Sequence, residues 1–261
     1  AVSYHERAVA QAIRHELEAA GVAARADEFG NLIASLGNAA AGPGIAFVAH
    51  MDHPGFELFS PEPTSTSGEG HIYVRALGGV PVASLSHETP VLVVTHDGER
   101  TGATLHPVSD EEAQAVGAGK ARLARLETST PLSAGSFVVF DLPDFELDGD
   151  VIRARALDDL AGCAAIISAL KRLGTSEPGR PVYGVFTRAE EDGLIGARAM
   201  AAASTLPQET IVVSVEASSV IPGVAQGDGP VVRTGDRTYT FDAGAEQVLV
   251  DAAKALGKQD E

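Results

Sequence analysis

The sequence predicts an α/β fold with a mostly parallel sheet, interrupted by a small β-rich insertion, and three observations lead to this prediction. The apolar run Gly44–His50 has the length and composition of a buried central strand. Residues 61–150 consist of short β-type segments separated by turn residues. From about residue 151, helical and strand patterns alternate, which is typical of helices packed on a mostly parallel sheet.

The chain before the central strand is predicted to form one helix and two short strands. Apolar residues recur at helical spacing over residues 2–20, so this segment should be an amphipathic helix that ends at Gly21. Two strands are expected around residues 23–29 and 32–36, because Gly30-Asn31 between them is a turn signal.

The β-rich insertion begins with PEPTSTSGEG, which has the composition of a linker or loop. Asp97-Gly98 and Asp148-Gly149 are typical of hairpin turns. The strands expected here are residues 72–77, 91–95, 100–105 and 136–141. We therefore predict two domains, a discontinuous α/β domain of residues 1–60 and 151–261 and an inserted small β-rich domain of residues 61–150.

After the insertion, the pattern predicts three helices and two strands in alternation. Apolar residues line one long helix that ends before Gly174. The predicted helices are residues 160–173, 194–203 and 246–256, and the predicted strands are residues 181–187 and 210–215.

Composition excludes several classes of function. Nineteen Lys and Arg residues against 36 Asp and Glu residues give a formal net charge of −17, so nucleic acid and anionic membranes are unfavourable partners and cations are favourable ones. A single cysteine, Cys163, excludes an intrachain disulfide framework, and its place in the helical pattern indicates packing. We see neither a membrane-spanning run nor a signal peptide, so we expect a cytoplasmic location.

Acidic residues and one histidine follow the predicted strands or precede a predicted helix. They fall in AHMDHPG (His50, Asp52), ALDDLAG (Asp158, Asp159), TRAEEDG (Glu190, Glu191) and VSVEASS (Glu216). Ligands of open α/β sheets bind beyond the carboxyl ends of the strands, so these groups are expected to converge. Taken singly, each acid pair is more often a helix N-cap with dipole support.

Several carboxylates at one sheet edge repel each other unless protons or metal ions neutralise them. A set of nitrogen and oxygen donors without thiolate suits zinc, cobalt or manganese in a hydrolytic role. Of two adjacent glutamates, one can bind metal while its neighbour accepts a proton from water. Asp52 can accept the far ring N–H of His50 and fix its tautomer.

In this order, AHMDHPGFE, ALDDLAGCAA, FTRAEEDGLIGA and GDGPVVRTGDRTYTFD resemble the glutamyl aminopeptidase or TET aminopeptidase family of co-catalytic metallopeptidases. The resemblance covers nearly the whole chain, from about His5 to Leu256. It implies a three-layer sheet fold of the zinc-peptidase type, two divalent metal ions, a peptide substrate and a homo-oligomer. Zinc is the first expectation, and cobalt or manganese the alternatives.

The resemblance also implies a role for each matching residue. His50 would bind one metal ion with Asp52 as its orienting partner, and Asp158 would bridge both ions. Glu190 would be the general base and Glu191 a ligand of the second ion. Glu216 stands where the family usually has Asp, and its longer carboxylate can still be a ligand. Asp159 would shape the backbone beside Asp158.

The sequence departs from the family in its last ligand. All eight histidines lie at or before residue 106, whereas the family has a final histidine ligand well downstream of the VRTGDR segment. We therefore expect that the chain is an incomplete copy of a longer enzyme, which leaves the activity of the chain itself open. His53 is a weak candidate for a substitute ligand.

Three functions stay open on sequence alone. The first is a metal-dependent aminopeptidase that hydrolyses N-terminal residues from peptides with a metal-activated water. The second is a non-catalytic binding or assembly subunit, and the third is a carboxypeptidase or deacylase of the same broad fold. Retention of both Glu190 and Glu191 favours the enzyme.

Overall fold

A computed structural model describes residues 1–59, 71–176 and 178–257. The predicted linker PEPTSTSGEG lies outside these residues. The helices are α1 (Arg7–Glu18), α2 (Asp110–Ala115), α3 (Leu157–Leu173), α4 (Ile195–Ala202) and α5 (Ala243–Gly257). The strands are β1 (Ala24–Ala26), β2 (Leu32–Leu36), β3 (Ile45–His50), β4 (Gly55–Phe59), β5 (Ile72–Leu77), β6 (Thr89–Val94), β7 (Arg100–Pro107), β8 (Leu123–Glu127), β9 (Phe137–Phe140), β10 (Glu146–Asp148), β11 (Val151–Arg153), β12 (Val182–Thr187) and β13 (Ile211–Ser214).

A five-stranded sheet with the order β1-β2-β12-β3-β13 forms the centre of the α/β part. The pairs β12–β3 and β3–β13 are parallel, whereas β1–β2 and β2–β12 are antiparallel. The predicted α/β class is therefore confirmed, but the described sheet is mixed rather than mostly parallel. The turn at Gly30-Asn31 returns the chain directly into β2, and a short turn can only join antiparallel strands.

Strand β12 is buried at every position, because it lies between β2 and β3 and is covered by α3. Gly184 in its middle has no side chain, and a Cβ there would lie 2.5 Å from Cδ1 of Leu170 and 2.9 Å from Cγ2 of Ile166. Glycine in a strand often marks such a close approach. Helix α3 therefore packs against the strand at the position where only a hydrogen atom separates them.

The main apolar core lies between this sheet and helices α1 and α3. Leu17 of α1 and Phe186 of β12 are fully buried in it. The predicted helical spacing of the first segment is confirmed, although the helix begins at Arg7 rather than residue 2. Residues before Arg7 instead run beside the loop that follows β3, with Val2 bridged to His53.

Six strands form a closed antiparallel barrel in the order β4-β5-β8-β7-β6-β9. Its interior is apolar and includes Phe56, Val74, Val91 and Val138. Closing a sheet on itself removes the unpaired edges of its strands. The barrel begins at Gly55, earlier than the predicted boundary at residue 61, and the division into domains stays a prediction.

The described residues after Ala217 belong to a second compact unit, which begins at Ser218. Helix α5 begins after Asp242, whose Oδ1 accepts a hydrogen bond from the backbone N–H of Ala245 at 2.8 Å. A hairpin-like turn precedes it, in which Asp236 Oδ1 accepts from the backbone N–H groups of Thr238 and Tyr239. No helix among the residues that the structure describes is long and apolar enough to cross a membrane.

Candidate metal centre

The parallel strands β3, β12 and β13 bring their carboxyl ends to the same edge of the sheet. His50 is the last residue of β3, Glu190 and Glu191 follow β12, and Glu216 follows β13. The beginning of α3 carries Asp158 to the same place, where its carboxylate meets the imidazole of His50. The structure therefore brings together the residues that sequence analysis selected.

His50 is the centre of this cluster, and its side chain is 3% exposed. Its Nδ1 lies 2.9 Å from the backbone oxygen of Asp52 and 3.5 Å from Oδ1 of the same residue. The nearer acceptor of the ring N–H is therefore the backbone oxygen rather than the expected carboxylate. A proton at Nδ1 leaves the lone pair of Nε2 directed at the acids.

Three carboxylates surround Nε2 of His50. The distance is 3.0 Å to Oδ1 of Asp158, 3.5 Å to Oε1 of Glu216 and 3.8 Å to Oε2 of Glu190. Each comes from a different element, so the arrangement depends on the fold rather than on local sequence.

Asp52 is fully buried and accepts three hydrogen bonds from two separate segments. Its Oδ1 accepts from the backbone N–H of Glu190 at 3.0 Å. Its Oδ2 accepts from the hydroxyl of Ser3 at 2.6 Å and from the backbone N–H of Glu191 at 3.2 Å. This carboxylate thereby ties the loop after β3 to the turn that carries both glutamates.

Glu190 and Glu191 do not cap helix α4. That helix begins at Ile195, and Leu194 before it makes no side-chain cap. Oε2 of Glu191 instead accepts from the backbone N–H of Gly79, a barrel residue, at 3.3 Å. The two adjacent acids therefore point to different partners, as the two-task interpretation requires.

Asp159 caps helix α3, as the N-cap interpretation predicts, whereas Asp158 faces His50, as the metal-site interpretation predicts. Both have non-helical backbone angles at the start of α3, and the peptide bond between them is cis. Asp159 Oδ1 accepts from the backbone N–H of Gly162 at 3.2 Å, which is a helix cap. Its Oδ2 accepts from the backbone N–H of His50, also at 3.2 Å. Asp158 makes no such cap, and its carboxylate faces His50.

Four acids of this cluster resist ionisation. Burial raises the pKa of Glu190, Glu191 and Glu216 above the ordinary value of a glutamate. Burial, assisted by the nearby charge of Glu216, raises the pKa of Asp159 to about 7. Like charges in a partly dry site disfavour each other, so these carboxylates gain most from a bound cation.

The pKa of the His50 imidazole is also raised, which favours its charged form. Burial lowers the pKa of His50, but its hydrogen bonds to Asp158, Asp52 and Glu216 outweigh this effect and raise it. The hydrogen bond from His50 lowers the pKa of Asp158. A positive charge at this position is therefore strongly favoured, whether a proton or a metal ion supplies it.

Two groups of donors among the described residues have the spacing of a metal site, with all ligand atoms within 4.8 Å of one another. One consists of His50, Asp158 and Glu216, and the other of His50, Glu190 and Glu191. Donors about 2.0–2.2 Å from a tetrahedral zinc ion lie about 3.3–3.6 Å apart. Separations of 3.0 and 3.5 Å in the first group fit this requirement with small adjustments.

Two other residues have no place in these groups. His53 is buried, and its Nδ1 lies 2.9 Å from the backbone oxygen of Pro54. Cys163 is buried in the main core, where its thiol donates to the backbone oxygen of His50 at 3.2 Å. Burial raises the pKa of this thiol to about 12, which suits packing and not a nucleophile.

The structure adds supporting residues that sequence analysis did not select. Ser3 donates to Asp52, and Gly79 donates to Glu191. Asn31 is fully buried, and its Oδ1 accepts from the backbone N–H of Arg188 just before the glutamates. Asn31 stands in the turn signal Gly30-Asn31, but nothing local indicates its distant partner.

Comparison with known proteins gives this site its context. The family model described as M42 glutamyl aminopeptidase matches residues 30–257. A protein of Acetivibrio thermocellus named "Putative aminopeptidase" is 28% identical over 263 residues, which cover 97% of this chain and 75% of that protein.

Solved structures with a similar fold include a TET peptidase. The Pyrococcus horikoshii TET1 peptidase, reported to assemble into a tetrahedron or a large octahedral shell, is 25% identical with a TM-score of 0.76. A dodecameric structure named PhTET1-12s is 24% identical with a TM-score of 0.78. Both matches cover 98% of this chain and 78% of the other. The protein is thus an aminopeptidase by class. It belongs to the M42 glutamyl aminopeptidase family.

Proposed function

We propose that this aminopeptidase is metal-dependent and hydrolyses the N-terminal peptide bond of peptides with two divalent metal ions. Zinc is the first candidate, and cobalt and manganese are the alternatives. The observation that carries the proposal is the surrounding of Nε2 of His50 by three carboxylates within 3.8 Å. An imidazole and several acids with raised pKa values form a donor set that a divalent cation stabilises.

His50, Asp158 and Glu216 would hold one ion, and Glu191 would hold the second with Asp158 between the two. The ions, when bound, would polarise the peptide carbonyl and lower the pKa of water. The distances and the pKa directions around His50 support these roles.

Glu190 would be the general base. Its side chain is 30% exposed, so water and substrate can reach it, and its Oε2 lies 3.8 Å from Nε2 of His50. Burial raises its pKa toward the range in which a carboxylate accepts and returns a proton efficiently. It would take a proton from water and pass it to the leaving amine. Asp52 would fix the turn that carries Glu190.

The fold layers, assembly and location complete the proposal. The sheet has α1 and α3 on one face and Met200 of α4 packed on the other, which supports a three-layer zinc-peptidase fold, with the barrel as an inserted small domain. Assemblies reported for TET relatives support a homo-oligomer. The lone cysteine and the acidic surface support a cytoplasmic enzyme that takes neither nucleic acid nor membrane as a partner.

The first test is metal content per chain after mild dialysis, followed by removal with a chelator and restoration with zinc, cobalt or manganese. We expect bound metal, loss of hydrolysis on chelation, and recovery on metal addition. A chain that binds no metal and yet hydrolyses peptides would contradict the proposal.

The second test separates the substrate classes. Aminoacyl-nitroanilides should be cleaved because their free amino group is recognised, and their N-acetylated counterparts should not. Hydrolysis of N-acyl amino acids instead would indicate a deacylase on the same scaffold.

A further inference from the structure

Ser3 lies at the centre of the buried hydrogen bonds beneath the candidate metal centre. Its side chain is fully buried, and its hydroxyl donates to Oδ2 of Asp52 at 2.6 Å. This distance is shorter than the 3.0 and 3.2 Å of the two backbone donors to the same carboxylate. Hydrogen bonds to an ionised acceptor are short and strong, and a buried carboxylate that loses one is destabilised.

The backbone on each side of Ser3 is anchored to a different loop of the site. Val2 is fully buried against Gly55, where a Cβ would lie 2.2 Å from Cγ1 of Val2. Glu6 is also buried, and its Oε1 accepts from the backbone N–H of Ala189 at 2.9 Å. The segment therefore spans from the loop after β3 to the turn after β12, and it holds the serine hydroxyl between them.

Asp52 transmits the position of Ser3 to the site. Its two oxygens also accept from the backbone N–H groups of Glu190 and Glu191. Its own backbone oxygen lies 2.9 Å from Nδ1 of His50. A change in the orientation of this carboxylate therefore shifts the turn of both glutamates and affects the residue that sets the tautomer of the imidazole.

We propose that Ser3 is a positioning residue for the metal centre, acting through Asp52 on His50 and on the Glu190-Glu191 turn. The proposal rests on the proposed metal-dependent function. Ser3 touches neither substrate nor metal in this role. Loss of its hydroxyl should therefore weaken metal binding and slow turnover while it leaves substrate binding nearly unchanged.

The test compares Ser3→Ala with the control Ser136→Ala in the full chain. Ser136 is likewise buried, and its hydroxyl accepts from the backbone N–H of Ser133 in the barrel. The readouts are the Kd for cobalt, measured by competition with a chelator, and kcat and KM on an aminoacyl-nitroanilide. We expect Ser3→Ala to weaken cobalt binding about 10–100-fold, the usual effect of removing such a supporting partner.

We also expect kcat to fall for Ser3→Ala with KM unchanged, and all three quantities to stay at the wild-type value for Ser136→Ala. Wild-type cobalt affinity and kcat in folded Ser3→Ala would overturn the inference. If Ser3→Ala does not fold, Ser3→Cys provides the same test, because a thiol of similar size is a weak donor. Wild-type behaviour of Ser3→Cys would likewise overturn it.

Failure of this inference and failure of the proposed function are distinguishable. A wild-type chain that binds no cobalt and shows no metal-dependent hydrolysis contradicts the proposed function. A wild-type chain that does both, beside a Ser3→Ala variant that equals it, contradicts only the role of Ser3.

Discussion

The barrel and the acidic edge of the sheet differ in how well their side chains suit their surroundings. Strands β4 to β9 close a ring around Phe56, Val74 and their apolar neighbours, and the pairing is antiparallel throughout. At the sheet edge, one buried imidazole meets several acids, most of them with raised pKa values. In the barrel, local preference, packing and polarity all favour the same structure. At the edge, repulsion between neighbouring carboxylates lowers the stability of the fold.

This contrast teaches where to look for function. A sequence that folds uniquely is consistent at every level, and natural proteins depart from that consistency mainly at functional sites. Substitutions in the barrel should therefore change stability and leave the chemistry of each folded molecule intact. Substitutions at the edge should do the reverse, and four variants measure how far this separation holds.

Glu190→Gln should have the largest effect, because it removes the proposed proton carrier. We expect kcat to fall about 10²–10⁴-fold, the usual contribution of general acid–base catalysis, with metal content and melting temperature near the wild-type values. Steady-state kinetics, elemental analysis and thermal unfolding measure these three quantities. Glu99→Gln in a barrel turn is the control and should leave kcat unchanged. A Glu190→Gln variant with wild-type kcat would show that the base lies elsewhere.

Phe56→Ala should have the largest effect on stability. The ring is fully buried in the barrel, 5.4 Å from the ring of Phe140. Its loss should lower the free energy of unfolding by about 3–5 kcal/mol, measured by urea denaturation. Metal content per folded chain should stay constant. Phe145→Ala, at a ring that is 62% exposed, should change stability little. Loss of metal from folded Phe56→Ala would break the separation.

Arg122→Met tests the point where the two regions meet. The guanidinium of Arg122 donates to the backbone oxygens of Val80 and Gly78, beside the Gly79 N–H that Glu191 accepts. For an exposed side chain we expect a loss of about 1–2 kcal/mol in stability. Cobalt binding should also weaken, unlike in Phe56→Ala.

The control for this variant is Arg25→Met, at an exposed arginine of β1. It should change neither thermal unfolding nor the Kd for cobalt. If Arg122→Met lowers stability and leaves cobalt binding intact, the barrel loop does not support Glu191.

Tyr73→Phe should have the smallest effect. This residue is 2% exposed on the outer face of the barrel, where it packs with Val116 and Leu123, and its hydroxyl donates to Oε1 of Glu112 at 2.9 Å. Loss of this bond should reduce the free energy of unfolding by about 0.5–1.5 kcal/mol with no change in kcat. Tyr239→Phe, at a side chain that is 71% exposed, should be neutral. A change in kcat for Tyr73→Phe would mean that the outer face of the barrel affects the chemistry.

Sequence analysis predicted the buried strands well because burial on both faces leaves a continuous apolar run. Strands β3 and β12 lie within one residue of their predicted bounds, and β5 matches its bounds. Strand β8 was not predicted. Its residues Leu123 and Ala124 are adjacent and both buried, which breaks the alternation of a half-buried strand. Strand β4, which begins directly after the turn residues His53-Pro54, was not predicted either.

The convergence of the acids was predictable, because the carboxyl ends of parallel strands lie at one edge of the sheet and the acids follow these ends in the sequence. The supporting contacts were not predictable. Ser3 and Asp52 are 49 residues apart, and no periodicity or motif connects a serine before a helix with an acid after a strand. The mixed character of the sheet was not predicted either. The turn at Gly30-Asn31 requires β1 and β2 to be antiparallel, but no local pattern indicates that β2 pairs with β12.

The close contact at Gly184 helps to set the position of helix α3 on strand β12. Helix α3 rests on β12 at this glycine and carries Asp158 at its beginning, while β12 runs on toward Glu190. At this point only the hydrogen atom of Gly184 lies between the strand and the side chains of the helix. We expect a methyl group at this position to tilt helix α3, and the tilt to change the distance between Asp158 and His50. We therefore expect the spacing of the proposed ligands to respond to a substitution of Gly184, a residue outside the candidate metal centre.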